Sequence, residues 1–227
     1  MALPELMTVD IGGTPIAIRD TETDGPAVVL LHGLGGSSQT WAFQFRALAD
    51  RFRLIAWDMP GYGASGGFVR DNPTAEMYAG ALDAVLDVLA LGKVHVVGQS
   101  VAALIGAAYA VENADRVSSY TFSQGLTGLG GLPDAERAEQ RAARLGTFRD
   151  LGPEEFAESR GRNVLGPGTP PMVAELAVAI MKRVPVVAYC QAVEMMAQTD
   201  FFDYAHRIAA PTLVIAGGAD PVAPPET

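Results

Sequence analysis

The apolar positions of the chain fall into short, nearly continuous runs that alternate with longer segments of helical spacing. Continuous apolar runs of this length are typical of parallel strands that are covered on both faces of a sheet. An antiparallel hairpin is predicted at the start of the chain, roughly over 6–19, with Gly12 and Gly13 at its turn. The clearest strand-like runs are 27–31, 53–57, 94–97 and 213–216.

The segment between the second and third of these runs has the spacing of an amphipathic helix. From Thr74 to Leu91, apolar residues recur at three- and four-residue intervals and form a single stripe. Gly92 follows, where a glycine commonly caps a helix C-terminus, and we expect it to serve as the cap. Strands alternating with helices in this way predict an α/β fold with a mostly parallel central sheet and right-handed crossovers.

The pattern changes after residue 127, where no strand is predicted for more than seventy residues. Helical stretches are predicted over 133–145, 153–163 and 171–198, the last interrupted at Pro185. We interpret this segment as a helical lid inserted into the sheet domain. The predicted division is a core domain over 1–127, a lid over 128–204, and the continuation of the core over 205–227.

The composition and charge of the chain exclude some classes of function. The 227 residues carry a formal net charge of −10 and are 49% hydrophobic. Such an acidic chain is a poor partner for nucleic acid or for anionic membrane, and we expect neither. No stretch resembles a signal peptide or a membrane span. The single cysteine, Cys190, fits a reducing compartment, so a cytoplasmic location is expected. A homo-oligomer is compatible with the sequence.

The stretch "HVVGQSVAA" places Ser100 between a strand and a helix. A turn this sharp lifts the serine side chain clear of the sheet, and it requires small neighbours, here Gly98 and Ala102. The helix N-terminus behind Ser100 offers backbone N–H groups and a positive dipole end to an oxyanion. The alternative is an ordinary N-cap serine, which is common in proteins.

This stretch resembles the nucleophile elbow of the α/β-hydrolase family, G-x-S-x-G, with Ala102 in place of the second glycine. The resemblance implies the α/β-hydrolase fold: a mostly parallel central sheet with helices on both faces and an inserted helical lid. It also implies that Ser100 is a catalytic nucleophile. A serine at this position speaks against haloalkane dehalogenases and epoxide hydrolases, which use aspartate there.

The stretch "LLHGLGGSSQTW" resembles the family's oxyanion loop. By that resemblance, the backbone N–H groups of Leu34 and Val101 form the oxyanion hole. The residues expected to shape the site, without taking part in the chemistry, are His32, Gly33, Gly98 and Gln99.

The stretch "WDMPGYGASG" resembles the family's D-x-P-G-x-G-x-S turn, and its glycines also match the dinucleotide fingerprint. That fingerprint requires a helix to open directly from it, whereas the following residues continue as a loop. A nucleotide-binding role is therefore rejected, and Asp58 is interpreted as a turn former. No other residues show metal-ligand spacing or a phosphate loop, so we expect no cofactor and no metal.

The stretch "PTLVIAGGADPVAPPE" resembles the late strand that carries the family's triad acid, and the matching residue is Asp220. The family places its base histidine after that acid, yet no histidine occurs in the seven residues that follow Asp220. His95 lies within a strand and His206 precedes the last strand, so neither is expected to reach Ser100. We therefore expect the histidine to lie on a missing C-terminal segment, bound as a second, cleaved chain.

These observations together predict a serine hydrolase that cleaves a carboxylic ester or lactone, similar to carboxylesterases and 3-oxoadipate enol-lactonase-like enzymes. The oxyanion loop lacks the proline that carbon–carbon bond hydrolases usually show. Two alternatives stay open. One is a carbon–carbon bond hydrolase or a cofactor-free perhydrolase that uses the same residues. The other is a ligand-binding scaffold without activity.

Overall fold

The computed structural model describes residues 3–220 and 222–224 and contains a seven-stranded sheet. Along the sheet the strands lie in the order β1-β2-β4-β3-β5-β6-β7. The strands are β1 (Leu6–Asp10), β2 (Pro15–Asp20), β3 (Ala27–Leu31), β4 (Arg53–Trp57), β5 (Val94–Gln99), β6 (Val117–Ser123) and β7 (Thr212–Ile215).

The predicted hairpin and parallel sheet are both present. Strands β1 and β2 pair antiparallel, β2 joins β4 antiparallel, and β3 to β7 are mutually parallel. Each of the four strand-like runs of the sequence overlaps a strand, and only Ala216 of the run 213–216 lies outside β7, which confirms the α/β class. Strand β6 is an addition: its serines and threonines alternate with apolar residues and hide it from a search for continuous apolar runs.

Helices cover both faces of this sheet. They are α1 (Ala42–Leu48), α2 (Ala75–Val88), α3 (Ala102–Glu112), α4 (Asp134–Arg160), α5 (Pro171–Met181), α6 (Val186–Gln198) and α7 (Phe202–Ala205). Successive residues of a strand point to opposite faces. Accordingly, Val29 and Leu31 pack in the core formed with α2 and α3, whereas Leu30 packs with Phe45 of α1 in a second, smaller core.

Helix α4 joins two of the predicted helices into one bent element. Gly152 lies inside it with φ +70°, a conformation that glycine adopts without steric cost, and Pro153 follows. Proline cannot donate the hydrogen bond that a continuous helix needs, so the two halves of α4 meet at an angle. This kink between Gly152 and Pro153 sets the direction of the second half.

The helical segment leaves and rejoins the sheet domain at one narrow neck, which we define as residues 127–130 with 199–201. Gly128 and Asp200 form an isolated bridge, and the Phe201 N–H donates to the Thr127 carbonyl at 2.8 Å. The division into domains over 1–127, 128–204 and 205–227 stays a prediction. Positions 1–2, 221 and 225–227 of those ranges lie outside the described residues.

The cap of α2 corrects one detail of the sequence prediction. The helix ends at Val88, and Ala90, not Gly92, takes the left-handed position with φ +52°. The Leu91 N–H donates to the Leu86 carbonyl at 2.9 Å, which is the long hydrogen bond of a Schellman cap. The prediction was wrong because the cap lies two residues earlier than the glycine suggests.

An alanine with positive φ is strained, and we expect Ala90→Gly to relieve that strain. The left-handed conformation costs an L-residue about 1–2 kcal/mol, partly offset by the entropy that glycine loses on folding. The substitution should therefore raise the free energy of unfolding by about 0.5–1 kcal/mol, measured by chemical denaturation. Ala90 is exposed, so no packing is lost. Gly92→Ala, with nothing within 4 Å of the added Cβ, is the control; equal stability of Ala90→Gly and the parent chain would contradict the cap assignment.

Strand β7 lies at the edge of the sheet and leaves apolar side chains exposed. Leu213 is 57% exposed and Val214 is 63% exposed. In a parallel sheet, strands of this composition are usually covered on both faces. The other described parallel strands are well buried, so β7 is the part of the sheet with the least cover.

Candidate active site

Ser100 lies in a strained turn between β5 and α3. Its φ of +57° is in the left-handed region, which is uncommon for a residue other than glycine. The Ser100 N–H donates to the Ser123 carbonyl at 3.1 Å, and its own carbonyl accepts from Ala103 and Leu126. The strain is thus held by hydrogen bonds to β6, α3 and the following loop. The Ser100 Oγ makes no hydrogen bond with any residue that the structure describes.

Gly98 allows β5 and α3 to meet at this turn. A Cβ atom at Gly98 would lie 2.6 Å from the Ala102 carbonyl oxygen and 2.7 Å from the Ala103 Cα. Both are backbone atoms that cannot rotate away. The start of α3 can therefore lie this close to β5 only because position 98 has no side chain. Strand β5 itself extends two residues beyond the predicted run 94–97, to Gln99.

The loop that follows β3 passes directly beside Ser100. A Cβ atom at Gly33 would lie 2.9 Å from the Ser100 Cβ and 3.3 Å from its Oγ. The Gly33 N–H donates to the Gln99 side-chain oxygen at 3.0 Å. Gln99 thereby ties the loop to the strand that carries Ser100, which is a positioning contact.

Two backbone N–H groups near Ser100 have no acceptor among the residues that the structure describes. Neither the Leu34 N–H nor the Val101 N–H donates to another described residue. The Leu34 carbonyl, in contrast, accepts from the hydroxyl of the buried Tyr62 at 3.1 Å. Leu34 lines the cavity next to Ser100, whereas the Val101 side chain is buried under it. Sequence analysis missed Tyr62, although it lies in the same motif as Asp58.

His32 is enclosed completely and has both ring nitrogens engaged. Its Nε2 accepts from the Met59 N–H at 3.0 Å, so Nδ1 carries the proton and donates to the Gly33 carbonyl at 2.9 Å. Burial lowers the pKa of His32 and outweighs the opposing effects of the Gly33 carbonyl and the Asp58 carboxylate. A neutral imidazole with no free nitrogen cannot accept a proton from Ser100.

Asp58 is also held away from Ser100. Its Oδ1 accepts from the Ser38 N–H at 2.6 Å, and its carbonyl accepts from the Ser65 hydroxyl at 2.7 Å. The residue therefore organises the turn after β4, and it lines a different, smaller cavity of about 220 Å³ beside Arg19.

Asp220 lines the same cavity as Ser100. That cavity has a volume of about 700 Å³ and lies between the sheet's carboxyl edge and helices α4 to α6. Asp220 follows β7 in a turn in which its Oδ1 accepts from the N–H groups of Val222 and Ala223 at 2.8 and 3.1 Å. These bonds fix the carboxylate and leave it half-buried at the cavity wall.

None of the three histidines faces this cavity. His95 lies on β5 five residues before Ser100, about 16 Å along the strand, and its Nδ1 bonds the Ser119 hydroxyl at 2.8 Å. His206 is exposed between α7 and β7, at the amino edge of the parallel strands, whereas Ser100 lies at their carboxyl edge. Within the described residues, the structure brings Ser100 and Asp220 together without an imidazole.

Two further findings concern the described residues as a set. No three histidine, cysteine, aspartate or glutamate side chains among them are grouped closely enough to bind a metal ion. Likewise, none of their helices is both long enough and apolar enough to cross a membrane.

Known proteins are similar to this chain in sequence and in fold. "Putative carbamate hydrolase RutD" of Klebsiella pneumoniae is 28% identical over 204 residues, which are 88% of this chain and 75% of the relative. The 2-hydroxy-6-oxononadienedioate/2-hydroxy-6-oxononatrienedioate hydrolase of Cupriavidus pinatubonensis is 29% identical over 96% of this chain and 79% of the relative. Other matches are shorter, and the chain spans about half of the Caulobacter vibrioides relative, at 52%.

Among solved structures, an esterase from Thermogutta terrifontis is 27% identical with a TM-score of 0.84, over 98% of this chain and 83% of the esterase. The enol-lactonase from Burkholderia xenovorans LB400 has the same fold, with a TM-score of 0.85 at 24% identity over 97% of this chain and 84% of the lactonase. The family model described as "alpha/beta hydrolase fold" matches residues 26–227. The chain therefore belongs to the alpha/beta hydrolase fold family.

Proposed function

We propose that this alpha/beta hydrolase is a serine hydrolase that cleaves a carboxylic ester or lactone through an acyl-enzyme. The observation that carries the proposal is the surroundings of Ser100. Its side chain has no hydrogen bond to the described residues, and it lies beside two backbone N–H groups that also lack an acceptor. A helix N-terminus leaves its first backbone N–H groups without an intrahelical acceptor, and donors of this kind bind the oxyanion in acyl transfer.

In the proposed reaction, the Ser100 Oγ attacks the substrate carbonyl carbon and gives up its proton to an imidazole. The carbonyl oxygen becomes an oxyanion, which accepts hydrogen bonds from the N–H groups of Leu34 and Val101. The imidazolium then protonates the leaving alcohol, and the carbonyl forms again as an ester of Ser100. Water, deprotonated by the same imidazole, attacks this ester, and the imidazolium returns the proton to the Ser100 Oγ as the acid leaves.

The positions of the residues around Ser100 agree with this reaction. Gln99 holds Gly33 and hence the oxyanion loop, and the buried His32 fixes the turn of that loop. Asp220 accounts for the acid of the triad, because it presents a fixed carboxylate to the cavity that Ser100 lines. Its role is to hold the imidazole in one tautomer and to stabilise its charged form.

We further propose that the imidazole belongs to polypeptide outside this sequence. His32 has no free nitrogen, and His95 and His206 lie away from the cavity. A segment that supplies the histidine could at the same time cover the exposed apolar side chains of β7. A small-molecule ester or lactone and this segment are the two partners that the proposal requires.

A fluorophosphonate probe, which phosphonylates activated serines, tests the proposal on the 227-residue chain. Because that chain lacks an imidazole at Ser100, we expect slow labelling of Ser100 that added imidazole accelerates. The acceleration should follow the neutral form of imidazole and thus rise with pH near 7. The rate is measured by mass spectrometry of the peptide that contains Ser100, with Ser100→Ala as the control. Fast labelling without imidazole would place a base within the chain, and no labelling at any imidazole concentration would favour the non-catalytic scaffold.

A second candidate is cleavage of a carbon–carbon bond next to a ketone by the same residues. It is favoured by the similarity to relatives named for 2-hydroxy-6-oxononadienedioate, a compound that has a ketone and two carboxylates but no ester. Both candidates predict probe labelling of Ser100. Turnover of simple esters by the chain together with its histidine-bearing segment distinguishes the first candidate from the second.

A further inference from the structure

Two arginines of α4 face the cavity that contains Ser100. They are Arg144, in the first half of the helix, and Arg160, its last residue. In a straight helix, residues sixteen positions apart would be separated by about 24 Å. The kink between Gly152 and Pro153 turns the second half back, so both side chains line one cavity.

Both arginines line the same cavity as one aromatic side chain, that of Tyr189. Tyr189 of α6 is stacked on Phe148, with ring centroids 3.8 Å apart, and also lines the cavity. Burial raises the pKa of Tyr189 to about 12, against the opposing effect of the positive charges of both Arg144 and Arg160. Both arginines are therefore close enough to influence the same phenol.

Neither arginine has its charge matched by a described carboxylate. The neighbouring Arg137 pairs with Asp134, and Arg141 pairs with Glu194. Arg144 bonds only the backbone and side-chain oxygens of Gln140, at 3.4 and 3.3 Å, and no hydrogen bond or ion pair of Arg160 side-chain atoms is found among the described residues. The chain as a whole has a net charge of −10, whereas this wall of the cavity carries two positive charges that no described carboxylate matches.

The rest of the cavity is largely apolar, and its one acidic residue among those described is Asp220 at the Ser100 side. An apolar pocket with a few convergent polar groups is the usual form of a small-molecule site. Guanidinium groups bind oxyacid anions through paired, charge-assisted hydrogen bonds.

We propose that the substrate carries an anionic oxyacid group, a carboxylate or a phosphate monoester, which Arg144 and Arg160 bind while Ser100 attacks a carbonyl elsewhere in the molecule. This inference rests on the proposed function, since it assigns the substrate class of the same site. The apolar lining between the two ends accommodates the connecting carbon chain. Neutral esters of the same length lack the group that these arginines recognise.

Binding to the Ser100→Ala variant tests this without turnover. The probes are methyl hexanoate, monomethyl adipate and methyl 6-(phosphonooxy)hexanoate, which share a chain length and differ in the distal group. We expect at least one of the two anionic probes to bind about tenfold or more tightly than the neutral ester, as measured by calorimetry. Whichever of them binds more tightly identifies the anion as carboxylate or phosphate.

The arginines are tested by Arg144→Gln/Arg160→Gln in the Ser100→Ala background. This variant should lose the preference for the anionic probe, whereas Arg144→Lys/Arg160→Lys should keep part of it because the charge remains. Arg149→Gln is the matched control, since Arg149 is exposed on the same helix and does not line the cavity. Circular dichroism checks that each variant is folded.

Two results would overturn the inference: equal affinity for the neutral and both anionic probes, or an anion preference that survives in Arg144→Gln/Arg160→Gln. Neither result would affect the labelling of Ser100 by the fluorophosphonate probe. Failure of that labelling, with anion binding intact, would instead remove the proposed hydrolysis and leave an anion-binding pocket. The two proposals thus fail separately.

Discussion

Gly98→Ala is expected to lower the free energy of unfolding by about 2–3 kcal/mol. The added Cβ would lie 2.6 Å from the Ala102 carbonyl oxygen and 2.7 Å from the Ala103 Cα, so α3 must move away from β5. Helix α3 is almost entirely buried against the sheet, and its displacement disturbs the core. The same movement shifts Ser100, so its imidazole-stimulated labelling should slow as well. Chemical denaturation followed by circular dichroism gives the stability.

Gly80→Ala is the matched control for this substitution. Gly80 lies exposed inside α2, and a Cβ atom there meets nothing within 4 Å. Alanine favours a helix interior over glycine, so this variant should gain roughly 0.5–1 kcal/mol. The same glycine-to-alanine change is thus expected to lower the free energy of unfolding at position 98 and to raise it at position 80. Equal stability of the two variants would contradict the close approach of α3 to the strand.

Acid should destabilise the folded chain through His32, with a slope of at most about 1.4 kcal/mol per pH unit, which is the limit for one proton. Burial lowers the pKa of His32 in the folded state, so the folded chain keeps the ring neutral while the unfolded chain protonates it near its ordinary value. The unfolded state therefore binds more protons than the folded state below about pH 6.5. The free energy of unfolding decreases as the pH is lowered, until the folded-state pKa is reached. Denaturation curves at several pH values measure the slope.

His32→Asn removes the titrating group and should flatten this part of the pH dependence. Comparison with the parent chain cancels the contribution of the carboxylates. The variant is also less stable at pH 7, because the Met59 N–H loses its acceptor, but the slope is the readout. His206→Asn replaces an exposed histidine by the same residue and is the matched control for the substitution itself. An unchanged slope in His32→Asn would show that His32 is not the source of the acid sensitivity.

The sequence was sufficient for the parts of the fold that depend on local pattern. Continuous apolar runs such as 27–31 and 53–57 are typical of strands covered on both faces, and both runs form largely buried strands. The turn at Ser100 was predictable because the small residues Gly98 and Ala102 flank a serine that lies between a predicted strand and a predicted helix. Strand β6 was missed because its polar residues alternate with apolar ones.

Features that depend on distant residues could not be predicted in this way. Ala90 takes a conformation that glycine prefers, because the end of α2 is fixed by packing and not by the nearest glycine. Tyr62 reaches the Leu34 carbonyl only after two loops are folded together. Arg144 and Arg160 share a cavity because of a bend whose angle no sequence pattern gives.

The neck formed by residues 127–130 and 199–201 has a consequence for how the site can change. The two ends of the helical segment between these residues are hydrogen-bonded to each other. The Gly130 N–H donates to the Thr199 carbonyl, and the Leu129 N–H donates to the Met196 carbonyl. Loops whose ends are held together tolerate insertion and replacement at little cost to the rest of a protein. The wall that carries the arginines can therefore be exchanged as one unit if the replacement keeps its contacts with the sheet domain, such as the bonds from the Gln191 side chain to the Phe68 and Arg70 carbonyls. Preference for a ligand and the reactivity of Ser100 would then vary independently, one in the exchanged part and the other in the sheet.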